Sequence, residues 1–161
     1  MSCVFVPAAE ADLAAIFALI DTRIRWLAER GIHQWDSYWE AFPEEHYRTA
    51  VRDGVLFVLK REGCVTAVAA LRREDGLWSD GAAALYIHNF AASPEHPGDG
   101  EEVLRRCEAF ARAEGLDFLR LDCLAGNAAL NTYYESRGFG FVTTLSGNKY
   151  YVPALRQKRL N

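Results

Sequence analysis

Two stretches of this 161-residue chain hold residues whose types and spacing suit chemistry. The first is Ser93-Pro94-Glu95-His96-Pro97-Gly98-Asp99-Gly100. It is dense in glycine and proline, so the chain turns there. From Glu101 onward, Val103, Leu104, Cys107, Phe110 and Ala111 mark one face of a helix that stops near Gly115. A glycine-rich turn feeding a helix presents backbone N–H groups without intrahelical partners. That arrangement suits a phosphate, although most such turns bind nothing. The second stretch gathers Trp35, Asp36, Tyr38, Trp39, Glu40, Phe42 and Tyr47. Two accounts fit it: a loop and helix packed over a sheet edge, or an aromatic-walled pocket. The four cysteines and four histidines lack the spacing of a metal site, so no metal is expected and the cysteines read as free core thiols.

The elements that must position these residues follow from periodicity. Cys3 to Val6 reads as a short strand closed by Pro7. Leu13, Ile16, Phe17, Ile20, Ile24 and Leu27 recur at three- and four-residue steps, predicting an amphipathic helix that ends near Gly31. Val55–Leu59 and Val65–Leu71 flank Glu62-Gly63 as a hairpin. Asp75-Gly76 and Asp80-Gly81 mark a longer turn into Ala84–Ala92, an apolar run suited to a strand buried on both faces. Phe118–Cys123 is joined to that strand through a helix, so the two run parallel. A short helix from Asn127 to Arg137 stops at Gly138, and two final strands are expected at Phe139–Leu145 and Lys149–Val152. The prediction is a mixed α/β fold in a single domain spanning 1–161, since no repeat, linker or low-complexity tract divides the chain.

Composition narrows the function. A chain of this length can bury about 70% of its unfolded surface. The net charge is −4, the wrong sign for a general nucleic-acid binder. The longest clean apolar run, Leu13 to Ile20, is too short to span a membrane, and Glu10 and Asp12 argue against a signal peptide. The cytoplasm is the expected location.

Asn127-x-x-Leu130-x-x-Tyr133-Tyr134-Glu135-x-x-Gly138-Phe139 resembles, at every spacing, a block of the GNAT superfamily of acyl-CoA N-acyltransferases. Leu85–His88, Leu119–Cys123 and Trp26–Trp35 resemble one bacterial subgroup of it, and the likeness covers nearly the whole chain. The resemblance implies a mostly antiparallel sheet of about six or seven strands, flanked by about four helices. A parallel pair splays at its centre around the pantetheine of acetyl-CoA. It implies transfer of an acetyl group from acetyl-CoA to the primary amine of a small molecule or protein, by direct attack in a ternary complex. No resident metal, nucleic acid or membrane is implied, and a homodimer is compatible with it.

Residue by residue, the resemblance gives backbone groups of Phe90, Ala91 and Ala92 to the pantetheine and the thioester oxygen. Glu95, His96, Pro97, Gly98, Asp99 and Gly100 fall to the phosphates. Asn127 falls to the cofactor, although an Asn opening a helix is also a good N-cap, worth about 1 kcal/mol by itself. Tyr134 becomes the acid for the departing thiolate. Acetylation needs a neutral amine, and His88 is the first candidate to take its proton, its alternative being a hydrogen-bonded core histidine. Asp122 reads as structural. Trp35, Asp36 and Trp39, with Glu40, are candidates for the acceptor wall.

The phosphate loop departs from the family pattern. Glu95 stands where Arg or Gln is usual, and the loop is about two residues short. Five acids between Pro94 and Glu108 face two arginines, a net charge of −3. A second function therefore stays open, a binding or regulatory module whose acidic loop no longer holds CoA. From His33 to Asp53 five acids again face two arginines, which suits a cationic acceptor or else a solvated helix face.

Overall fold

The computed structural model describes residues 2–33, 35–148 and 151–161. In chain order these form β1 (Cys3–Pro7), α1 (Leu13–Glu29) after a 3₁₀ turn, α2 (Tyr38–Ala41), α3 (Glu44–Arg52), β2 (Leu56–Arg61), β3 (Cys64–Arg72), β4 (Ala84–Ala92), α4 (Asp99–Ala113), β5 (Phe118–Leu124), α5 (Ala128–Ser136), β6 (Gly140–Thr144) and β7 (Pro153–Arg159). The seven strands order as β1-β2-β3-β4-β5-β7-β6. As expected, the sheet is mostly antiparallel with one parallel pair, β4 and β5. No helix among the described residues is long and apolar enough to cross a membrane.

The chain groups into two compact units, Met1–Leu71 with Asn89–Arg106, and Arg72–His88 with Cys107–Asn161. In the first, Ile16 and Ile20 of α1, Tyr47 and Ala50 of α3, and Leu56, Val58, Val68 and Ala70 of the β2–β3 hairpin form one buried apolar cluster. The three- and four-residue spacing in α1 and the alternation in β2 place these side chains on the faces that meet. In the second, Leu85 pairs with Leu119 and Tyr86 with Arg120 in the parallel register, and β7 lies antiparallel between β5 and β6.

Three boundaries differ from expectation. Helix α4 begins at Asp99, two residues before Glu101. Gly98 makes the turn with φ of 94°, a value glycine adopts freely. Gly100 thus belongs to the first helical turn rather than to the loop. The aromatic segment forms two short helices, adding a fifth to the expected four. The last strand is Pro153–Arg159, whereas Tyr151 and Val152 lie outside any strand and Lys149 and Tyr150 fall outside the described residues. The polar run Arg156, Gln157, Lys158 and Arg159 hid β7 because it breaks the hydrophobic pattern from which a strand is read. One thiol reading also changes, since Cys107 and Cys123 are buried but Cys64 is exposed.

Candidate active site

The first unit carries the end of β4. Asn89, within the strand, takes the left-handed region, φ 51°, which Asn tolerates better than most residues. Its Nδ2 donates to Tyr38 Oη at 3.1 Å, and its Oδ1 lies 2.9 Å from His46 Nε2. The Tyr38 and Tyr47 hydroxyls bond to each other. Burial raises both phenols, so neither ionises at neutral pH. Three residues on, the Ala92 carbonyl accepts two bonds from Arg23, from Nε at 2.9 Å and Nη2 at 2.6 Å. Phe90, Ala91 and Ala92 are therefore held from both ends, with Ala91 buried in the core cluster.

After them Ser93 Oγ accepts from Glu95 N at 3.2 Å, and Ser93 N donates to Thr66 O at 2.8 Å. Glu95, His96, Pro97 and Gly98 are exposed. Asp99 is not part of that surface. It is buried, with its carboxylate against Arg61 Nε and Nη2 at 2.8 Å. Burial pushes its carboxyl up, but hydrogen bonds from Arg61 and Thr66 and the Arg61 charge outweigh this and hold it below the ordinary range. Glu102 pairs with Arg105 and with Arg106 Nε at 2.6 Å. Asp99 and Glu102, and Glu108 with Arg112 and Lys158, are three of the five acids that the sequence sets beside a phosphate, and all three face cations.

The aromatic segment walls an open cavity of about 350 Å³ in this unit. Trp35, Asp36 and Trp39 come together there with Asp21, Arg25, Tyr38 and Glu40. Trp39 Nε1 donates to Asp21 at 2.8 Å, the Trp35 and Tyr38 rings lie tilted together with centroids 4.7 Å apart, and His33 Nδ1 lies 2.9 Å from Asp36. Tyr38 both lines the cavity and holds Asn89, so the cavity adjoins the kink in β4.

In the second unit Asn127 caps α5, its Oδ1 accepting from Leu130 N at 3.1 Å. Asn131, one turn on, ties the β5–α5 connection. Its Nδ2 donates to Leu124 O at 3.1 Å and Asn127 O at 2.9 Å, and its Oδ1 accepts from Arg156 Nε at 2.9 Å. Arg156 also donates to Phe139 O at 2.9 Å. Gly138 ends the helix at φ 91°, and an added Cβ would meet the Lys158 side chain at 3.2 Å. Tyr134 is buried, edge-on to Phe139, and its hydroxyl makes no hydrogen bond among the described residues. Burial, then Cys123, Tyr133 and Asp122, raise its phenol, so it remains protonated.

The opposite side of β4 and β5 in this unit is polar. Arg120, 1% exposed, lies against Trp78 and Phe118, donates to both carboxylate oxygens of Asp80 at 2.6 and 2.9 Å, and donates also to Gln157 and Tyr86. Two residues further along each strand stand His88 and Asp122. His88 is 27% exposed, with Nε2 2.9 Å from Asp75 Oδ2. Asp122 accepts from Tyr151 Oη at 2.5 Å. One polar atom each of Asp75, His88 and Asp122 lies within 4.8 Å of the others.

Sequence reasoning singled out none of Arg23, Arg61, Asp75, Asn89, Asn131 or Arg156. Asn89 had a signal, a polar residue breaking an apolar strand. The others are ordinary surface-type residues in sequence, and distant contacts alone give them a role.

The acetyltransferase (GNAT) family model matches residues 20–141. An uncharacterized N-acetyltransferase, YesJ, of Bacillus subtilis (strain 168) is 28% identical over 145 residues, covering 84% of this chain and 81% of its own. A GNAT-family acetyltransferase structure from Listeria monocytogenes 4b F2365 superposes with a TM-score of 0.78 at 27% identity, covering 98% of this chain and 95% of its own. The PaiA N-acetyltransferase of Thermoplasma acidophilum, solved with coenzyme A, has the same fold, with a TM-score of 0.71 at 15% identity over 99% of each chain. With the fold and the Asn127–Phe139 block in agreement, the chain belongs to the acetyltransferase (GNAT) family and is an acyl-CoA-dependent acetyltransferase.

Proposed function

We propose that the chain moves the acetyl group of acetyl-CoA onto a primary amine by direct attack within a ternary complex. The observation that carries this reading is the kinked end of β4, held at Asn89 and Ala92 beside an aromatic, acid-bearing cavity. Backbone groups of Phe90, Ala91 and Ala92 pair with the pantetheine, and an N–H there steadies the oxyanion as it forms, an effect worth a few kcal/mol. The surface from Glu95 to Gly98 and the first turn of α4, with Asp99 and Gly100, lies along the phosphates. Asn127 meets the cofactor while capping α5.

In the reaction the amine nitrogen forms a bond to the thioester carbon, the C–S bond breaks, and its electron pair stays on sulfur. Tyr134 supplies the proton that makes free CoA-SH, and His88 takes the proton from the amine. The acceptor is a cationic amine such as a polyamine, an amino sugar or a lysine-like group. Asp21, Asp36 and Glu40 against one arginine, Arg25, attract it, and the faces of Trp35 and Trp39 stabilise its charge by about 0.5–2 kcal/mol.

The alternative of a module that has lost CoA draws on the acidic loop. Asp99 and Glu102 are already turned onto arginines, and Glu108 onto Arg112 and Lys158. Calorimetry with acetyl-CoA separates the two readings. Binding, followed by CoA release with spermidine, glucosamine or lysine that weakens as salt rises, supports transfer to a cation. No heat and no thermal shift at millimolar acetyl-CoA would establish the module instead.

A further inference from the structure

Within the second unit, three elements bring ionisable groups onto one imidazole. β4 supplies His88, β5 supplies Asp122, and the β3–β4 connection supplies Asp75, whose side chain is 7% exposed. Tyr151, just before β7, completes the set by donating to Asp122. Asp75 is fixed independently of His88, because its Oδ1 accepts from Leu77 N at 2.8 Å. Its carboxyl feels burial pushing upward, but the bonds from His88 and Leu77 and the His88 charge hold it below the ordinary range. Asp75 is therefore a carboxylate at neutral pH.

A carboxylate only accepts hydrogen bonds. The hydrogen in the 2.9 Å contact must then sit on His88 Nε2, and a neutral imidazole so oriented carries its free lone pair on Nδ1. Among the described residues nothing hydrogen-bonds Nδ1, and the ring is partly open to solvent. We infer that Asp75 is the positioning residue of the reaction, fixing His88 in the Nε2–H tautomer so that Nδ1 can take the proton of the attacking amine. This rests on the reading that His88 serves as the base.

The step balances without a further reagent. The amine lone pair becomes the new N–C bond, and its proton passes to Nδ1, directly or through one water. The resulting imidazolium keeps its Nε2–H on Asp75, whose negative charge offsets the new positive one. Asp122 differs from Asp75. Burial, with the Asp75 charge adding, raises its carboxyl against the pull of Tyr151 and His88, so of the two carboxyls it is the one that more readily carries a proton.

The test has one arm that needs no substrate. Long-range proton–nitrogen spectra of the ¹⁵N-labelled protein at about pH 8.5, two units above an ordinary imidazole, read the tautomer, with His88→Gln assigning the signal. The expected pattern is Nε2 protonated and Nδ1 bare. The reverse tautomer overturns the inference whether or not the protein transfers acetyl groups.

The second arm is kinetic, with whichever of spermidine, glucosamine or lysine reacts. Asp75→Asn should lower kcat/KM about 100-fold, within the range of acid–base contributions. Asp75→Glu should recover part of the rate, and acetyl-CoA affinity should hold in both. A full rate in Asp75→Asn with a depressed one in His88→Gln would overturn the inference while sparing the base. Absence of turnover with every amine would count against the proposed function, and the spectra would still decide the pairing.

Discussion

Tyr134 and Asp122 show how burial sets the proton state of a side chain. The phenol of Tyr134 is raised by burial, with Cys123, Tyr133 and Asp122 adding to the push, so its proton is in place at physiological pH. It can give that proton only as charge builds on sulfur, and a thiol with pKa about 8.5 already leaves tolerably well. Tyr134→Phe should therefore lower kcat about 10- to 1000-fold and leave acetyl-CoA affinity unchanged, as steady-state rates and calorimetry would read. Full activity would assign Tyr134 to packing alone. Asp122 is also raised, first by burial. A carboxyl raised on folding costs stability once pH exceeds its unfolded value near 3.9, and costs nothing well below it. Asp122→Asn, which still accepts from Tyr151, should melt higher than the parent at pH 7. The gain should fade as pH falls toward about 4, and a lower melting point at pH 7 would contradict this sign.

Among the elements, α1, β4, β5 and α5 were legible because each combines an unbroken periodic apolar pattern with a clear stop, such as Gly31 or Gly138. The start of α4 was not, since Gly100 reads as a breaker and nothing local says that Asp99 will turn onto Arg61, 38 residues earlier. That contact ties the first turn of α4 to β2. Arg61→Ala leaves Asp99 buried without its cation and should lower stability. Removing Asp99 as well should restore part of that loss. The sign follows from the lowered carboxyl of Asp99, whose stabilisation is present above its unfolded value and lost as pH falls through the folded one. Denaturation of the two single variants and the double variant measures the coupling. A loss in the double variant equal to the sum of the two single losses would show that the pair adds nothing. β7 escaped notice for a related reason, since Arg156 and Gln157 satisfy their polar groups on Asn131, Phe139 and Arg120 rather than in water.

For the molecule as a whole, the family-type block from Asn127 to Phe139 announces the chemistry in thirteen consecutive residues, and the glycine turn announces the loop. What remained hidden is held by groups far apart in sequence: Arg23 on Ala92, Asn131 on Arg156, and Asp75 beside His88 and Asp122. Local pattern carries no trace of such pairings, because any exposed aspartate or arginine would read the same. The connection from 73 to 83 gains most from them. It has no helix or strand of its own, yet Asp75 grips His88, Asp80 grips the buried Arg120, and Trp78 lies over that guanidinium. A segment pinned at two points cannot thread into a protease cleft, which requires several residues to unfold in an extended form. Trypsin should therefore spare Arg73 in the native protein. Asp80→Ala should open that bond and release fragments of 73 and 88 residues, and the melting point should fall because the buried Arg120 loses its carboxylate. If the variant resists trypsin as the parent does, the hold on Arg120 is not what keeps this connection closed to proteases.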